Sequence, residues 1–137
     1  MNDKKNKVYL ILGILYCLLF GYLLFAAPFR KDTYTEVNLI PFKILFEEIK
    51  LVFTTPPSTE YIVYTLGAFF GNLFLLIPIP LLFKLKLRQW KLWGFVILVP
   101  LSLELLQYIF QVGSADVDDV VLNATGAYFG AVIARKR

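Results

Sequence analysis

The chain of 137 residues contains no histidine and a single cysteine, Cys17. Without imidazole there is no histidine-based general acid or base, no Ser-His triad and no zinc site that needs a nitrogen ligand. One thiol cannot close an intrachain disulfide, and its apolar setting argues for an inert side chain. Charge is also scarce where it would matter most. The stretches 8–29 and 61–83 carry no charged residue, 92–111 carries Glu104 alone among the charged types, and 117–134 has Asp118 and Asp119 only at its start. No single basic stripe accompanies the net charge of +4, which argues against a nucleic-acid partner.

What is there is apolar. The hydrophobic share is 58%, with a mean hydropathy of +0.67, against roughly 45–50% apolar in ordinary soluble domains. A soluble chain this small has no core large enough to hide that surface; a bilayer covers it instead. A hydrocarbon core of about 30 Å needs roughly 20 helical residues. The four runs are therefore expected to be transmembrane helices at about 8–29, 61–83, 92–111 and 117–134. The first is too long for a signal-peptide core and no A-x-A site follows it, so it is expected to remain as a span. Nothing divides the chain, which reads as one domain over 1–137. Pro78, Pro80 and Pro100 fall inside spans and predict kinks.

Ten of the fourteen basic residues group on one side: Lys4, Lys5 and Lys7; Lys84, Lys86, Arg88 and Lys91; Arg135, Lys136 and Arg137. By the positive-inside rule both termini and the second loop are expected to be cytoplasmic, with Trp90 and Trp93 as interfacial anchors. On the other side Arg30, Lys31, Lys43 and Lys50 are diluted by Asp32, Glu36, Glu47, Glu48 and Glu60. Within that outer loop Phe42, Leu45, Phe46, Ile49, Val52 and Phe53 recur at helical spacing, with Lys43, Glu47 and Lys50 opposite. The pattern predicts an amphipathic helix at about 41–53, opened by Pro41 and ended by Pro56-Pro57. It fits a helix lying in the outer interface and equally a connector packed on the bundle.

Glu104 is the strongest single clue, because an ionisable side chain inside a membrane helix normally faces the bundle or water. Gln107 and Gln111 share its face. Asp119, Asn123, Gly126 and Gly130 share one face of the fourth helix, with Asp116 and Asp118 just outside. The short connection around Gly113 makes the two helices antiparallel neighbours, and Gly126-x-x-x-Gly130 permits close contact; Gly67-x-x-x-Gly71 offers the same device on the second helix. The acids and amides are thus expected to meet in the outer half of the membrane.

Four readings fit that cluster. It makes interhelical hydrogen bonds, which suits Asn72, Asn123 and Gln107 best. It holds a divalent cation on Asp116, Asp118, Asp119 and Glu104. It faces a lipid or peptide ligand. Or the run Asp116-x-Asp118-Asp119 caps a helix N-terminus in water.

At these residues the chain resembles the VanZ-like membrane proteins. Asn38-Leu39-Ile40-Pro41-Phe42 is similar to the family's N-x-x-P-F motif, and Gly71-Asn72-Leu73 with Ile77-Pro78 to its G-N segment. Glu104-x-x-Gln107 is similar to the third-helix E-x-x-Q. Asp116-Val117-Asp118-Asp119 through Asn123 to Gly126 resembles the closing D-[IV]-D-D-x-x-x-N-x-x-G. The likeness runs from Asn38 to Gly130 in the right order and departs at Gly113, where many relatives carry arginine.

The resemblance implies a multi-pass protein of the bacterial cell membrane that reduces susceptibility to teicoplanin-type lipoglycopeptides. The co-location of acids, amides and an interfacial helix on one side makes binding or shielding of an amphiphile at the outer leaflet the expected mode of action, with Asn38, Phe42, Asn72, Glu104, Gln107, Asp116, Asp118, Asp119 and Asn123 as the ligand-binding set. Expected partners are membrane lipids and, as candidates, a lipoglycopeptide or a lipid-linked wall precursor. No cofactor is expected. The alternatives are an intramembrane enzyme acting on a lipid-linked substrate, with Glu104 and Asp119 as acid and base, and a structural partner of another membrane protein.

Overall fold

A computed structural model describes residues 3–25, 37–54 and 58–136. In chain order the elements are α1 (Asp3–Phe25), β1 (Val37–Asn38), α2 (Lys43–Thr54), α3 (Thr59–Leu75), α4 (Pro78–Leu82), α5 (Gln89–Ile109), β2 (Ala115–Asp116) and α6 (Val117–Lys136). Four helical segments are long and apolar enough to cross a membrane: α1, α3 with α4, α5 and α6.

The ends of these elements depart from the apolar runs for local reasons. Helix α1 begins at Asp3 rather than at the first apolar residue, because Lys4, Lys5 and Lys7 can continue the helix with their ammonium groups in water. The end of the expected first span, 26–29, lies outside the described residues, as do Arg30, Lys31, Asp32, Glu36, Pro56-Pro57 and Arg137. Helix α3 starts behind Ser58, whose hydroxyl oxygen accepts from Tyr61 N–H as an N-cap. The expected second helix is broken into α3 and α4. Pro78 and Pro80 bring no N–H, and the backbone turns at Leu76 and Ile77 before α4 resumes. Pro100, by contrast, stays inside a continuous α5.

The break is served from across the bundle. Tyr16 on α1 donates its hydroxyl to the Leu75 carbonyl at 2.6 Å. Tyr16→Phe removes that donor and should cost about 0.6–2 kcal/mol, the range for an interhelical hydrogen bond in lipid. Unfolding titrations in mixed micelles check it.

Helix α6 is the hub, packing on α5, α3 and α4, while α1 leans on α4. Its small residues make this feasible. Gly126, Ala127, Gly130, Ala131 and Ala134 are all buried, and Leu76, Leu92 and Val96 close the core around them. A Cβ at Gly126 would run into the Leu73 carbonyl oxygen, and one at Gly130 would sit 2.9 Å from Ile77 Cα. The first glycine pair is different. Among the described residues nothing lies within 4 Å of a Cβ added at Gly67 or Gly71, so there this pair mediates no close helix contact, unlike the expectation from spacing. Elsewhere large apolar side chains such as Leu18, Val63, Leu101 and Phe129 face outward, as lipid contact requires.

The two ends of the bundle differ. At one end Lys84 Nζ donates to Asn6 Oδ1 and stands 4.5 Å above the Tyr9 ring, and Arg135 Nη1 donates to Gln89 Oε1 at 3.2 Å. Exposed Trp90 lies beside them, and Trp93 stacks on Tyr128. The three basic groups therefore share one end. The opposite end carries β1, β2 and α2.

Candidate functional site

The candidate site is built on the N-terminus of α6. Asp116 is the residue just before that helix, and its Oδ1 accepts from Asp118 N–H at 2.9 Å, satisfying one of the orphan donors of the first turn. The same oxygen accepts from Asn38 Nδ2 at 2.9 Å. Asn38 in turn accepts from Ile40 N–H through Oδ1 at 3.2 Å, turning the chain towards Pro41. Asp116 N–H donates to Glu104 Oε2 at 3.3 Å. Parallel pairing of Val37 with Ala115 and Asn38 with Asp116 stitches the first loop to the last.

The strap then continues into α2 through one strained residue. Ile40 to Lys43 is a turn closed by Lys43 N–H to Ile40 O at 3.3 Å, with Pro41 second and Phe42 third at φ 63°. Proline followed by a left-handed residue is the pattern of a type II turn, where glycine or asparagine is usual. A phenylalanine held there costs on the order of 1 kcal/mol or more. What holds it is Asp118, whose Oδ1 accepts from Phe42 N–H at 2.5 Å. Helix α2 thus begins at Lys43, and Pro41 is not its first helical residue. Phe42 belongs to the turn, not to the helix's apolar face.

On α2 itself Phe46 and Phe53 are 68% and 85% exposed, and Ile49 is also uncovered. The described part of the apolar face is thus uncovered, while α2 touches the bundle at α6 and the side chains of Leu45 and Val52 lie outside the description. Continuous with this face are exposed Leu39 and Ile40.

The acids and amides come together in part. Glu104, Gln107, Asp116, Asp118 and Asn123 are all buried. Asp119 is half-buried, and Glu104, Gln107 and Asp119 each have partners. Glu104 accepts from the Asp116 backbone, and Asn123 lies about 10 Å further along α6 than Asp116. Among the described residues the buried Oδ1 of Asn123 has no partner, and neither has Asp118 Oδ2. Asn72 is half-buried on α3 next to Leu73, where α6 comes closest, and lies apart from the strap. Gln107 sits at the end of α5, which stops at Ile109 rather than at Gln111. Gln111 takes φ 55°, and Val112 N–H returns to the Gln107 carbonyl at 3.0 Å, a Schellman closure.

Among the described residues no group of three or more His, Cys, Asp or Glu side chains is placed to hold a metal ion. Oxygens of Asp116, Asp118 and Glu104 are occupied by N–H donors instead. Sequence reasoning missed the Asn38 side-chain and Phe42 backbone donors because both come from a loop far away in sequence. The capping role of Asp116 was legible in the D-x-D spacing, since an aspartate two residues before an N–H is the usual N-cap arrangement.

A family model described as VanZ/LLP1 matches residues 8–136. The chain is similar to Protein VanZ of Enterococcus faecium, at 31% identity over 62 residues, which is 43% of this chain and 38% of that protein. The match thus spans well under two thirds of that relative's length. No solved structure matches.

Proposed function

We propose that this chain, which belongs to the VanZ/LLP1 family, binds or shields an amphiphile at the outer leaflet and so reduces susceptibility to teicoplanin-type lipoglycopeptides. The chain is a multi-pass membrane protein; in this reading it resides in the bacterial cell membrane with both termini in the cytoplasm. One observation carries the proposal. A strap with an uncovered apolar face, from Leu39 through Phe53, is tied by hydrogen bonds to buried acids at the same end of the bundle. An amphiphile needs that pair of surfaces, apolar for its tail and polar for its head.

The positive-inside grouping supports an outward orientation of this end. There lipid-tailed antibiotics and lipid-linked wall precursors are both within reach. The binding set would comprise Asn38, Phe42, Glu104, Gln107, Asp116, Asp118 and Asp119, with Asn72 and Asn123 supporting it from deeper positions.

The test is teicoplanin susceptibility at matched membrane levels of protein. Glu104→Gln and the double variant Phe46→Ser/Phe53→Ser are each expected to lose most of the protection. Each lost apolar contact is worth about 1.5–3 kcal/mol if the side chain is fully covered by ligand. Full protection by both variants would remove the outer site from the mechanism.

A further inference from the structure

We infer that the connection between α4 and α5 is a binding surface for the headgroups of anionic phospholipids. It lies at the opposite end of the bundle from the acids and does not depend on the reading above. Helix α4 ends at Leu82 and α5 begins at Gln89, so only 83–88 intervene between two membrane-crossing segments. A connection over 83–88 reaches at most about 10 Å from the bilayer surface before it must return. The chain turns at Lys84, at φ 52°, and Leu85 N–H returns to the Pro80 carbonyl at 2.9 Å, a Schellman closure. From there exposure alternates. Lys84, Lys86 and Arg88 are exposed, while Leu85 and Leu87 are half-buried, Leu87 against the core formed by Leu76 and Leu92. A period of two is that of extended chain. The leucines hold the segment on the bundle, and the three cations form a row on its outer side, with Cα atoms about 6–7 Å apart.

Positive-inside topology accounts for a basic end but not for this arrangement. The groups that hold these cations are neutral. Lys84 Nζ donates to the Asn6 amide and stands over the Tyr9 ring, Lys91 Nζ lies 5.3 Å from the centre of the Trp90 ring, and Arg135 Nη1 donates to the Gln89 amide. Among the described residues Asp3 is the one acid at this end. A row with so little acid beside it keeps its charge for an outside anion, and the anion within constant reach is the phosphate of the adjoining leaflet. Exposed Trp90 and Trp93 mark the same depth, since indole settles at headgroup level. A zwitterionic headgroup cancels much of its own charge. A phosphodiester with a neutral substituent does not, which favours phosphatidylglycerol over phosphatidylcholine. Nucleic acid offers phosphates too, but this row is short and lies against a bilayer rather than along an open groove.

The full chain is reconstituted in phosphatidylcholine nanodiscs doped with phosphatidylglycerol, at about 0.15 M salt to screen long-range attraction. Lipid retained by the protein is counted by native mass spectrometry. Phosphatidylglycerol should be enriched roughly tenfold over its bulk share, the order expected of two or three cations close to an anionic surface. Lys86→Gln/Arg88→Gln removes two cations of the row, spares the Lys84 contact with α1 and should return retention close to the bulk share. Lys4→Gln/Lys5→Gln removes the same charge from α1 and should keep most of the enrichment.

No enrichment by the native chain would overturn the inference, and that arm needs no variant to fold. Equal loss in the two double variants would also overturn it, because total charge rather than the connection would then attract the lipid. A single-stranded oligonucleotide that displaces phosphatidylglycerol, and whose binding is lost in Lys86→Gln/Arg88→Gln, would assign the row to nucleic acid instead. Antibiotic susceptibility at the other end of the bundle enters none of these arms, so either reading can fail without the other.

Discussion

Gly126→Ala should damage this fold severely, while the chemically identical change at Gly67 or Gly71 should leave it intact or slightly firmer. A methyl at Gly126 meets the Leu73 carbonyl oxygen, which is backbone of a neighbouring helix and has no rotamer to escape into. Overpacking of this kind costs about 1–3 kcal/mol where side chains can yield. A clash with backbone belongs at the upper end or beyond. The helix-propensity gain of roughly 1 kcal/mol from Gly to Ala offsets only part of it. At Gly67 and Gly71 the methyl meets open space, so only the propensity gain remains.

Because α6 packs on α3, α4 and α5, separating it from α3 also displaces the acids at its first turn. Gly126→Ala is therefore expected to lower the unfolding midpoint in micelles and, on the proposed function, antibiotic protection with it. A Gly126→Ala protein as stable as the parent would mean that α3 and α6 do not approach this closely.

The contrast between the two glycine pairs shows how far a sequence carries in a membrane. Both read identically as small-xxx-small, and nothing local distinguishes the pair that faces a helix from the pair that faces lipid. Lipid removes the polar-outside signal that would assign the face in a soluble protein. Span existence was legible because hydrocarbon thickness and backbone satisfaction constrain it strongly. The proline break at Leu76 was legible as a kink, but its rescue by Tyr16 was not, since that depends on a residue far away in sequence. At the site, burial of Glu104 and Gln107 followed from their cost in lipid. The strap did not, because a two-residue parallel pairing between distant loops leaves no periodicity to read.

The strap also decides what the acids do, and Asp116 separates charge from connection. Its Oδ1 receives two donors, one from Asn38 and one from the first turn of α6. Asp116→Ala removes both acceptor roles and leaves the Asn38 amide without its partner. Loss of an N-cap costs about 0.5–2 kcal/mol, and a hydrogen bond to a charged group about 1.5–3 kcal/mol. The combined effect should be roughly 2–4 kcal/mol once the two are allowed to overlap, since they share one atom. Asp116→Asn keeps an oxygen in place and, if connection is the whole role, should recover most of that loss.

Hydrogen exchange gives the sharper readout. In Asp116→Ala the amides of residues 37–54 should lose protection relative to those of α5 and the lower half of α6, because the strap is released while the helical core stays closed. If Asp116→Asn instead exchanges and melts like Asp116→Ala, the negative charge itself holds the strap down. Unchanged protection over 37–54 in both variants would mean that Asn38 and Asp116 do not fasten the outer loop to the bundle at all.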